Sequence, residues 1–205
     1  MNNSTCAKGA QFNIQNSKFN IQNSKFNIQH APKAHNSTFN TQHSTFMKIR
    51  TGFGYDVHKL VEGRELWLGG IKLDYELGLL GHSDADVLIH AICDALLGAA
   101  NMRDIGYHFP DTAAETLNVD SKILLRKTID LIATKGYRLG NVDAIVCAER
   151  PKLNPHIPEM QRCLAEVMQT DVDNVSIKAT TTEKLGFTGR MEGISAYATV
   201  LIEKD

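Results

Sequence analysis

The sequence has few of the features that mark membrane, secreted or nucleic-acid-binding proteins. No apolar run approaches the roughly 18–20 residues of a membrane-spanning helix, and no charged segment followed by an apolar one opens the chain as a signal peptide. The formal net charge is −1 over 205 residues, far from the basic balance typical of nucleic-acid binding. We therefore predict a cytoplasmic protein with no membrane partner and no nucleic-acid partner.

Cysteine is also scarce, and its placement argues against a disulfide framework. The chain has four cysteines, Cys6, Cys93, Cys147 and Cys163, and no two of them form a Cys-x-x-Cys pair. In a chain of this length, such isolated residues are typical of free thiols in a reducing compartment.

Acidic residues are absent from the first 46 positions, which contain four lysines and so carry a formal charge of +4. The heptapeptide Phe-Asn-Ile-Gln-Asn-Ser-Lys occupies 12–18 and repeats at 19–25. A period of seven can indicate a coiled coil, but Asn, Gln and Ser dominate here, and Asn and Ser are poor helix formers. We predict that 1–46 is a disordered, low-complexity extension.

Three origins of this extension stay open. It is either a functionless addition, or upstream sequence read from a wrong start codon with Met47 as the natural start, or a plastid targeting peptide. The segment is poor in acids and rich in Ser and Thr, as targeting peptides are, but it lacks arginine.

From Met47 to the C-terminus, residues 47–205, the composition is typical of one globular domain. Gly69-Gly70 between two short apolar runs predicts a β-hairpin, and Ser83 is expected to cap the first helix. The predicted strands cover 47–55, 65–68, 71–73, 137–147, 175–179 and 194–202, and the predicted helices cover 84–98, 120–134 and 159–169. We expect an α+β fold, an α/β sandwich in which a small mixed β-sheet carries helices packed on one face.

Asp56 and His58 are the first candidates for chemistry, because residues i and i+2 of an extended strand point to the same face. A carboxylate and an imidazole would then project together from the end of the first strand. Both are ligands of the kind that zinc takes. The alternative is an ordinary Asp–His hydrogen bond on a strand.

His90 lies inside the apolar first helix, four residues after Asp86 and on the same helical face. A lone histidine there could be a hydrogen-bonded core residue, but with Asp56 and His58 it predicts a site of two histidines and one aspartate. Such a site leaves a fourth zinc position open, which is the catalytic pattern. As a hypothesis, Asp86 or Asp94 orients the imidazole of His90 by a hydrogen bond without binding the metal itself.

A segment that suits phosphate lies late in the chain. Three consecutive threonines, 180–182, precede Glu183, Lys184 and Arg190. Hydroxyls and loop amides donate hydrogen bonds to phosphoryl oxygens, arginine clamps them with two bonds, and Glu183 can hold a divalent cation that bridges phosphates. The alternative is a threonine-rich strand end followed by a solvated loop. Turn-rich segments that either bind substrate or simply connect elements are 104–106, 109–112 and 148–153.

Several motifs follow one another in order along 47–205. They are Gly54-Tyr55-Asp56-Val57-His58, Gly81-His82-Ser83-Asp84-Ala85-Asp86-Val87 with His90, Asp104-Ile105-Gly106, Phe109-Pro110-Asp111-Thr112, Pro155-His156-Ile157-Pro158 and the run 178–190. Together they resemble the 2-C-methyl-D-erythritol 2,4-cyclodiphosphate synthase family. The resemblance covers Met47 to the C-terminus, and 1–46 has no counterpart in it.

This resemblance implies a lyase of the non-mevalonate pathway of isoprenoid and terpenoid biosynthesis. Its substrate would be 4-diphosphocytidyl-2-C-methyl-D-erythritol 2-phosphate. The 2-phosphate attacks the β-phosphorus of the diphosphate, which releases CMP and closes an eight-membered cyclic diphosphate. The resemblance also implies a homotrimer with active sites between neighbouring subunits.

The resemblance further assigns roles to individual residues. Zinc would be held by Asp56, His58 and His90, and a second divalent cation, Mg²⁺ or Mn²⁺, by Glu183 together with the substrate phosphates. His82 and Thr181 would be the catalytic contacts, acting as positioning groups. Residues 148–154, with Thr180 and Thr181, would form the cytidine pocket. The full implied substrate-binding set is Asp56, His58, His82, Ser83, Asp104, Ile105, Gly106, Phe109, Pro110, Asp111, Thr112, Ala113, Ala148, Glu149, Arg150, Pro151, Lys152, Leu153, Asn154, Thr180, Thr181, Thr182, Glu183, Phe187 and Arg190.

Two other functions stay open on the sequence alone. The first is a zinc-dependent phosphoesterase that activates water against a related diphosphate. The second is not enzymatic, namely a structural zinc module or an isoprenoid-diphosphate binding protein. The absence of a Ser/His/Asp nucleophile motif agrees with the cyclisation, because a phosphate dianion is already a nucleophile near neutral pH.

Overall fold

A computed structural model describes residues 47–112 and 117–205. The predicted extension 1–46 lies outside the described residues, and so does Ala113 of the predicted substrate contacts. The strands are β1 (Lys48–Glu62), β2 (Leu66–Leu68), β3 (Ile71–Leu73), β4 (Leu77–Leu80), β5 (Arg138–Cys147), β6 (Val175–Thr180) and β7 (Gly193–Lys204), and the α-helices are α1 (Val87–Ala99), α2 (Ile105–His108), α3 (Ser121–Thr134), α4 (Ile157–Met168) and α5 (Gly186–Gly189). None of the helices in these ranges is long and apolar enough to cross a membrane.

The main sheet has five strands in the order β4-β1-β7-β5-β6, and β2 pairs with β3 in the predicted hairpin. Only the β5–β6 pair in this sheet is parallel. A parallel pair needs a crossover, and α4 lies within the crossover between these two strands. The predicted α+β fold with a mixed sheet is therefore confirmed.

The core lies between one face of this sheet and helix α1. Alternate residues of β7, such as Ala196, Ala198 and Val200, are buried on that face, as the predicted period of two requires. Ten of the thirteen residues of α1 are buried. The opposite face of the sheet exposes large apolar side chains, among them Phe53, Tyr55, Val57 and Tyr197.

Two predicted boundaries near the motifs are wrong. The first strand does not end at residue 55, since β1 pairs with β7 as far as Lys59 and with β4 from Lys59 to Glu62. Helix α1 begins at Val87, and its cap is Asp86, whose carboxylate accepts a hydrogen bond from the backbone N–H of Ile89. Ser83 cannot cap this helix because Ala85, with φ of 59°, turns the chain in the left-handed region before the helix begins.

Helix α1 lies unusually close to strand β1 because two positions of the strand have no side chain. A Cβ atom built on Gly52 would lie 1.9 Å from the carbonyl oxygen of Ala95, and one on Gly54 would lie 2.0 Å from that of Ala91. These distances are far inside van der Waals contact. Gly52 and Gly54 therefore pack directly against the helix backbone. Gly54 lies two residues before Asp56, on the same face of the strand.

We predict that Gly54→Ala destabilises the domain by about 1–3 kcal/mol, the usual range for overpacking a filled core. The matched control is Gly98→Ala, because Gly98 lies in α1 and has open space around its Cβ position. That change should raise the free energy of unfolding by up to about 1 kcal/mol. Chemical unfolding at one fixed protein concentration measures both. A Gly54→Ala protein as stable as the unmodified chain would contradict the close packing.

Candidate metal centre and phosphate loop

Three predicted ligands converge between β1 and α1. The Oδ2 atom of Asp56 lies 3.0 Å from His58 Nε2 and 3.0 Å from His90 Nδ1, and the two imidazole nitrogens are 3.1 Å apart. All three side chains are partly buried. Among residues 47–112 and 117–205, these three form the one group of histidine, cysteine or acidic side chains with metal-binding geometry.

The spacing of these donor atoms fits a single small cation. Zinc bonds of about 2.0–2.1 Å at tetrahedral angles place neighbouring ligand atoms about 3.3 Å apart, close to the observed separations. The carbonyl oxygen of Leu80 lies 2.8 Å from His58 Nδ1. Because a carbonyl only accepts, the proton of the neutral His58 ring lies on Nδ1, and the lone pair of Nε2 then faces Asp56 Oδ2 and His90 Nδ1.

The electrostatics of the cluster favour an ionised carboxylate. Burial raises the pKa of Asp56, but hydrogen bonds and charges from His58 and His90 outweigh burial and hold that pKa well below its ordinary value. Burial lowers the pKa of His58, but the hydrogen bond and charge of Asp56 dominate, so the net shift is upward. The carboxylate therefore offers a full negative charge to a cation.

The hypothesis that Asp86 or Asp94 orients His90 is wrong. The Asp86 carboxylate caps α1 and accepts a hydrogen bond of 2.7 Å from the backbone N–H of Gly70. Asp94 accepts one of 2.7 Å from the N–H of Ile105. Both carboxylates hold neighbouring backbone instead of the imidazole.

Two serines face the other side of His90. Its Nε2 atom lies 3.0 Å from Ser121 Oγ and 3.1 Å from Ser83 Oγ. Ser121 was missed in the sequence because it is 31 residues from His90 and stands at a helix start, where serine is expected for local reasons.

A cavity of about 400 Å³ is lined by two of the three ligands, His58 and His90. Asp104 does not line it but caps α2, with its Oδ1 accepting a hydrogen bond of 2.9 Å from Tyr107 N–H. Pro110 and Thr112, both exposed, lie in the adjacent loop. The predicted residues that line the cavity are His58, His82, Ser83, His90, Ile105, Gly106, Phe109 and Asp111, and they are joined by Gly81 and Leu124, which were not predicted.

The threonine loop forms a separate structure after β6. Thr181 Oγ1 donates a hydrogen bond of 2.9 Å to Glu183 Oε1, and Glu183 and Lys184 both have left-handed backbone, with φ of 52° and 64°. Glu149 Oε1 accepts hydrogen bonds from the backbone N–H groups of Thr182 (3.0 Å) and Lys184 (3.1 Å). These bonds, that of Lys184 foremost, lower the pKa of Glu149. Glu149 therefore anchors the loop that presents Glu183.

The remaining predicted residues surround this loop. Arg190 pairs with Glu192 through two hydrogen bonds of 2.8 and 3.1 Å. Of the predicted cytidine segment, Ala148 and Leu153 are buried, whereas Arg150, Lys152 and Asn154 are exposed. A cavity of about 370 Å³ is lined by Thr182 and Phe187 of the predicted set, together with Cys147, Leu185, Gly186, Thr188, Ser195 and Tyr197.

The metal cluster and the threonine loop do not meet within one chain. Val57, Ser195, Cys147 and Thr180 lie in one row across β1, β7, β5 and β6, so three strand spacings, about 14 Å, separate Val57 from Thr180. None of the described residues from 148–154 or 180–190 lines the cavity beside the three ligands. The structure thus places the predicted site residues in two separate groups.

The chain is similar to known proteins over most of its length. Residues 49–203 match the sequence model of the YgbB family. The chain belongs to the YgbB family. A member from Phocaeicola vulgatus, named 2-C-methyl-D-erythritol 2,4-cyclodiphosphate synthase, is 80% identical over 158 residues, which is 77% of this chain and 99% of that protein.

Two further members of the family extend the comparison. The synthase of the same name from Bacteroides thetaiotaomicron is 77% identical over 78% of this chain and 100% of its own length. The solved structure of IspF from Plasmodium falciparum in complex with CDP is 37% identical, with a TM-score of 0.67 over 77% of this chain and 97% of that one. The resemblance drawn from the motifs is therefore confirmed at the level of the family.

Proposed function

We propose that this protein converts 4-diphosphocytidyl-2-C-methyl-D-erythritol 2-phosphate into 2-C-methyl-D-erythritol 2,4-cyclodiphosphate and CMP. It is an enzyme, a lyase of isoprenoid biosynthesis. The observation that carries the proposal is the convergence of Asp56, His58 and His90 beside the 400 Å³ cavity, in a chain 80% identical to a synthase of that name. The CDP bound by the Plasmodium falciparum relative supports a substrate with a cytidine diphosphate group.

The reaction makes one P–O bond and breaks another. An oxygen of the 2-phosphate attacks the β-phosphorus, and the bond from that phosphorus to the oxygen of the cytidine-linked phosphate breaks, so that CMP leaves with the electron pair. Nucleophile and electrophile belong to one molecule, and the protein therefore has to fold the substrate and hold the reacting groups in line. Because both groups are anionic, hydrogen-bond donors and positive charge must offset their repulsion.

Two sets of residues suit the two cations of the proposal. Asp56, His58 and His90 would hold zinc, and the exposed carboxylate of Glu183 would hold Mg²⁺ or Mn²⁺ with the substrate phosphates. Bound there, the cations would polarise phosphoryl oxygens and neutralise charge.

The protein's own groups would position the substrate. His82 and Ser83 line the cavity beside the cluster, where the erythritol and its phosphate would lie. The hydroxyl of Thr181 and the exposed end of the 148–154 segment would face the diphosphate and the cytidine, with Glu149 holding the loop in shape. In this assignment His82 and Thr181 orient the reacting phosphates and transfer no proton.

The two groups of site residues, each taken as a half-site, favour a homotrimer with each active site between neighbouring chains. About 14 Å of sheet separates the halves within one chain, so a neighbour would have to supply the missing half. The apolar side chains on the uncovered sheet face, including Phe53 at 65% exposure, are of the kind that contact another protein. A cytoplasmic location remains a prediction from the sequence.

The product distinguishes this proposal from the phosphoesterase. The purified protein, incubated with the diphosphocytidyl substrate, Zn²⁺ and Mg²⁺, should yield cyclic diphosphate and CMP in equal amounts. Phosphorus NMR of the mixture resolves the cyclic from the open-chain product. An open-chain phosphate as the main product would identify a hydrolase, and an unchanged substrate would favour a non-enzymatic role.

The inter-subunit site predicts complementation between two inactive chains. His90→Ala removes one half-site and Glu183→Ala the other, and each variant alone should form inactive trimers. In trimers assembled randomly from equal amounts of both, about one quarter of the sites combine two intact halves, and activity should recover to about that fraction. Co-expression with two different tags isolates the mixed trimers, in which about one third of the sites combine two intact halves.

The control for this experiment pairs His90→Ala with Asp56→Asn. Both changes lie in the same half-site, so mixed trimers of these two variants should stay inactive. A mixture of His90→Ala and Glu183→Ala that also stays inactive would contradict an active site shared between neighbours.

A further inference from the structure

We propose that Asp84, acting through the hydroxyl of Ser121, fixes which nitrogen of His90 carries the proton and so keeps Nδ1 available to the metal. Asp84 and Ser121 would be positioning residues. The inference rests on the proposed metal site, and it concerns a hydrogen-bonded chain behind that site, Asp84–Ser121–His90.

The two nitrogens of His90 have different surroundings. Nδ1 faces Asp56 and His58, at 3.0 and 3.1 Å, and Nε2 faces Ser121 Oγ at 3.0 Å. A metal bound in the cluster needs a lone pair on Nδ1, so the proton of the neutral ring has to lie on Nε2.

Ser121 is arranged to accept a hydrogen bond from that Nε2–H group. Its hydroxyl is in a short hydrogen bond with Asp84 Oδ1, and its backbone N–H donates to Asp84 Oδ2 at 2.9 Å. A carboxylate only accepts, so the single hydroxyl proton of Ser121 points at Asp84. The oxygen of Ser121 is then left to accept a hydrogen bond from Nε2–H of His90. Ser121 is fully buried, and water cannot readily replace this arrangement.

The Asp84–Ser121–His90 hydrogen bonds oppose a competing hydrogen bond between His90 Nδ1 and Asp56 on the metal side of the ring. Without a cation, the Asp56 carboxylate at 3.0 Å favours a proton on Nδ1, which would block metal binding. Asp84 acts from the opposite side of the ring. It accepts a hydrogen bond from the Ser121 hydroxyl, so the oxygen of Ser121 can only accept from His90 Nε2–H. The balance between the two carboxylates therefore sets the ratio of the two ring tautomers.

Asp84→Asn tests the direction of the hydrogen bonds in the Asp84–Ser121–His90 chain, because the substitution reverses that direction. The amide oxygen can keep the 2.9 Å hydrogen bond from the Ser121 backbone N–H. The amide NH₂ then donates to Ser121 Oγ, and the weaker hydrogen bond of 3.2 Å from the Asp86 backbone N–H is lost. The hydroxyl proton turns toward His90 Nε2, which favours a proton on Nδ1. Ser121→Ala only removes a contact, since Ser83 Oγ still lies 3.1 Å from Nε2. If Asp84 controls the tautomer of His90, Asp84→Asn should change the tautomer ratio and the metal affinity more than Ser121→Ala does. If the substitutions only disturb packing, no such order is expected.

The experiment measures both the tautomer and the affinity for metal. Long-range ¹H–¹⁵N NMR of metal-free protein labelled at histidine, under conditions in which the imidazole is neutral, reports which nitrogen of His90 is protonated, and His90→Gln assigns the signals. We expect Asp84→Asn to shift the population toward Nδ1–H. We also expect it to weaken Zn²⁺ binding about 10- to 100-fold in competition with a chelator, with a smaller loss for Ser121→Ala.

The matched control is Asp120→Asn, at the same end of α3, where asparagine caps a helix as well as aspartate does. It should leave both readouts unchanged. Asp84→Asn with an unaltered tautomer ratio, or with the affinity of the unmodified protein, would overturn the proposal. If Asp84→Asn does not fold, Ser121→Ala decides, because an unaltered ratio there would overturn it as well.

The NMR readout also separates this inference from the proposed function. It requires neither metal nor substrate. A protein that lacks cyclase activity but shows the expected tautomer shift would refute the function and leave the role of Asp84 intact.

Discussion

The close contact between helix α1 and strand β1 is the constraint on which the rest of the structure depends. Gly52 and Gly54 let the backbone of the helix approach to distances at which a Cβ atom would overlap its carbonyl oxygens. The approach brings His90 within 3.1 Å of the donor atoms of Asp56 and His58. A wider spacing would leave a strand with two polar side chains and a helix with a buried histidine, and no common centre for a cation.

Much of the fold follows from patterns that act over short distances. The hairpin at Gly69-Gly70 and the alternation along β7 are local, and both were predicted correctly. Strand β4 and the full length of β1 were missed, because Lys59 to Glu62 become strand only by pairing with Leu77 to Leu80. The start of α1 was misplaced because the left-handed backbone at Ala85 has no signal in a residue that is usually a good helix former.

The site divides in the same way. Asp56 and His58 were recognisable because a strand repeats every two residues, and His90 because its neighbours are helical and apolar. Its hydrogen-bond partner Ser121 depends on how α3 packs against α1, which no spacing in the sequence reveals. Glu149 was assigned to the nucleoside by resemblance, but its carboxylate binds the backbone of the Glu183 loop. Sequence motifs thus identified the groups that face ligands better than the groups that hold them.

We propose that β1 and α1 together build one zinc site from Asp56, His58 and His90. Anomalous diffraction at the zinc edge, from crystals of the zinc-loaded full chain, tests it most directly. We expect one strong peak in each protomer, about 2.0–2.2 Å from an Asp56 carboxylate oxygen, His58 Nε2 and His90 Nδ1. A peak elsewhere in the chain, or zinc bound through Nε2 of His90, would contradict it.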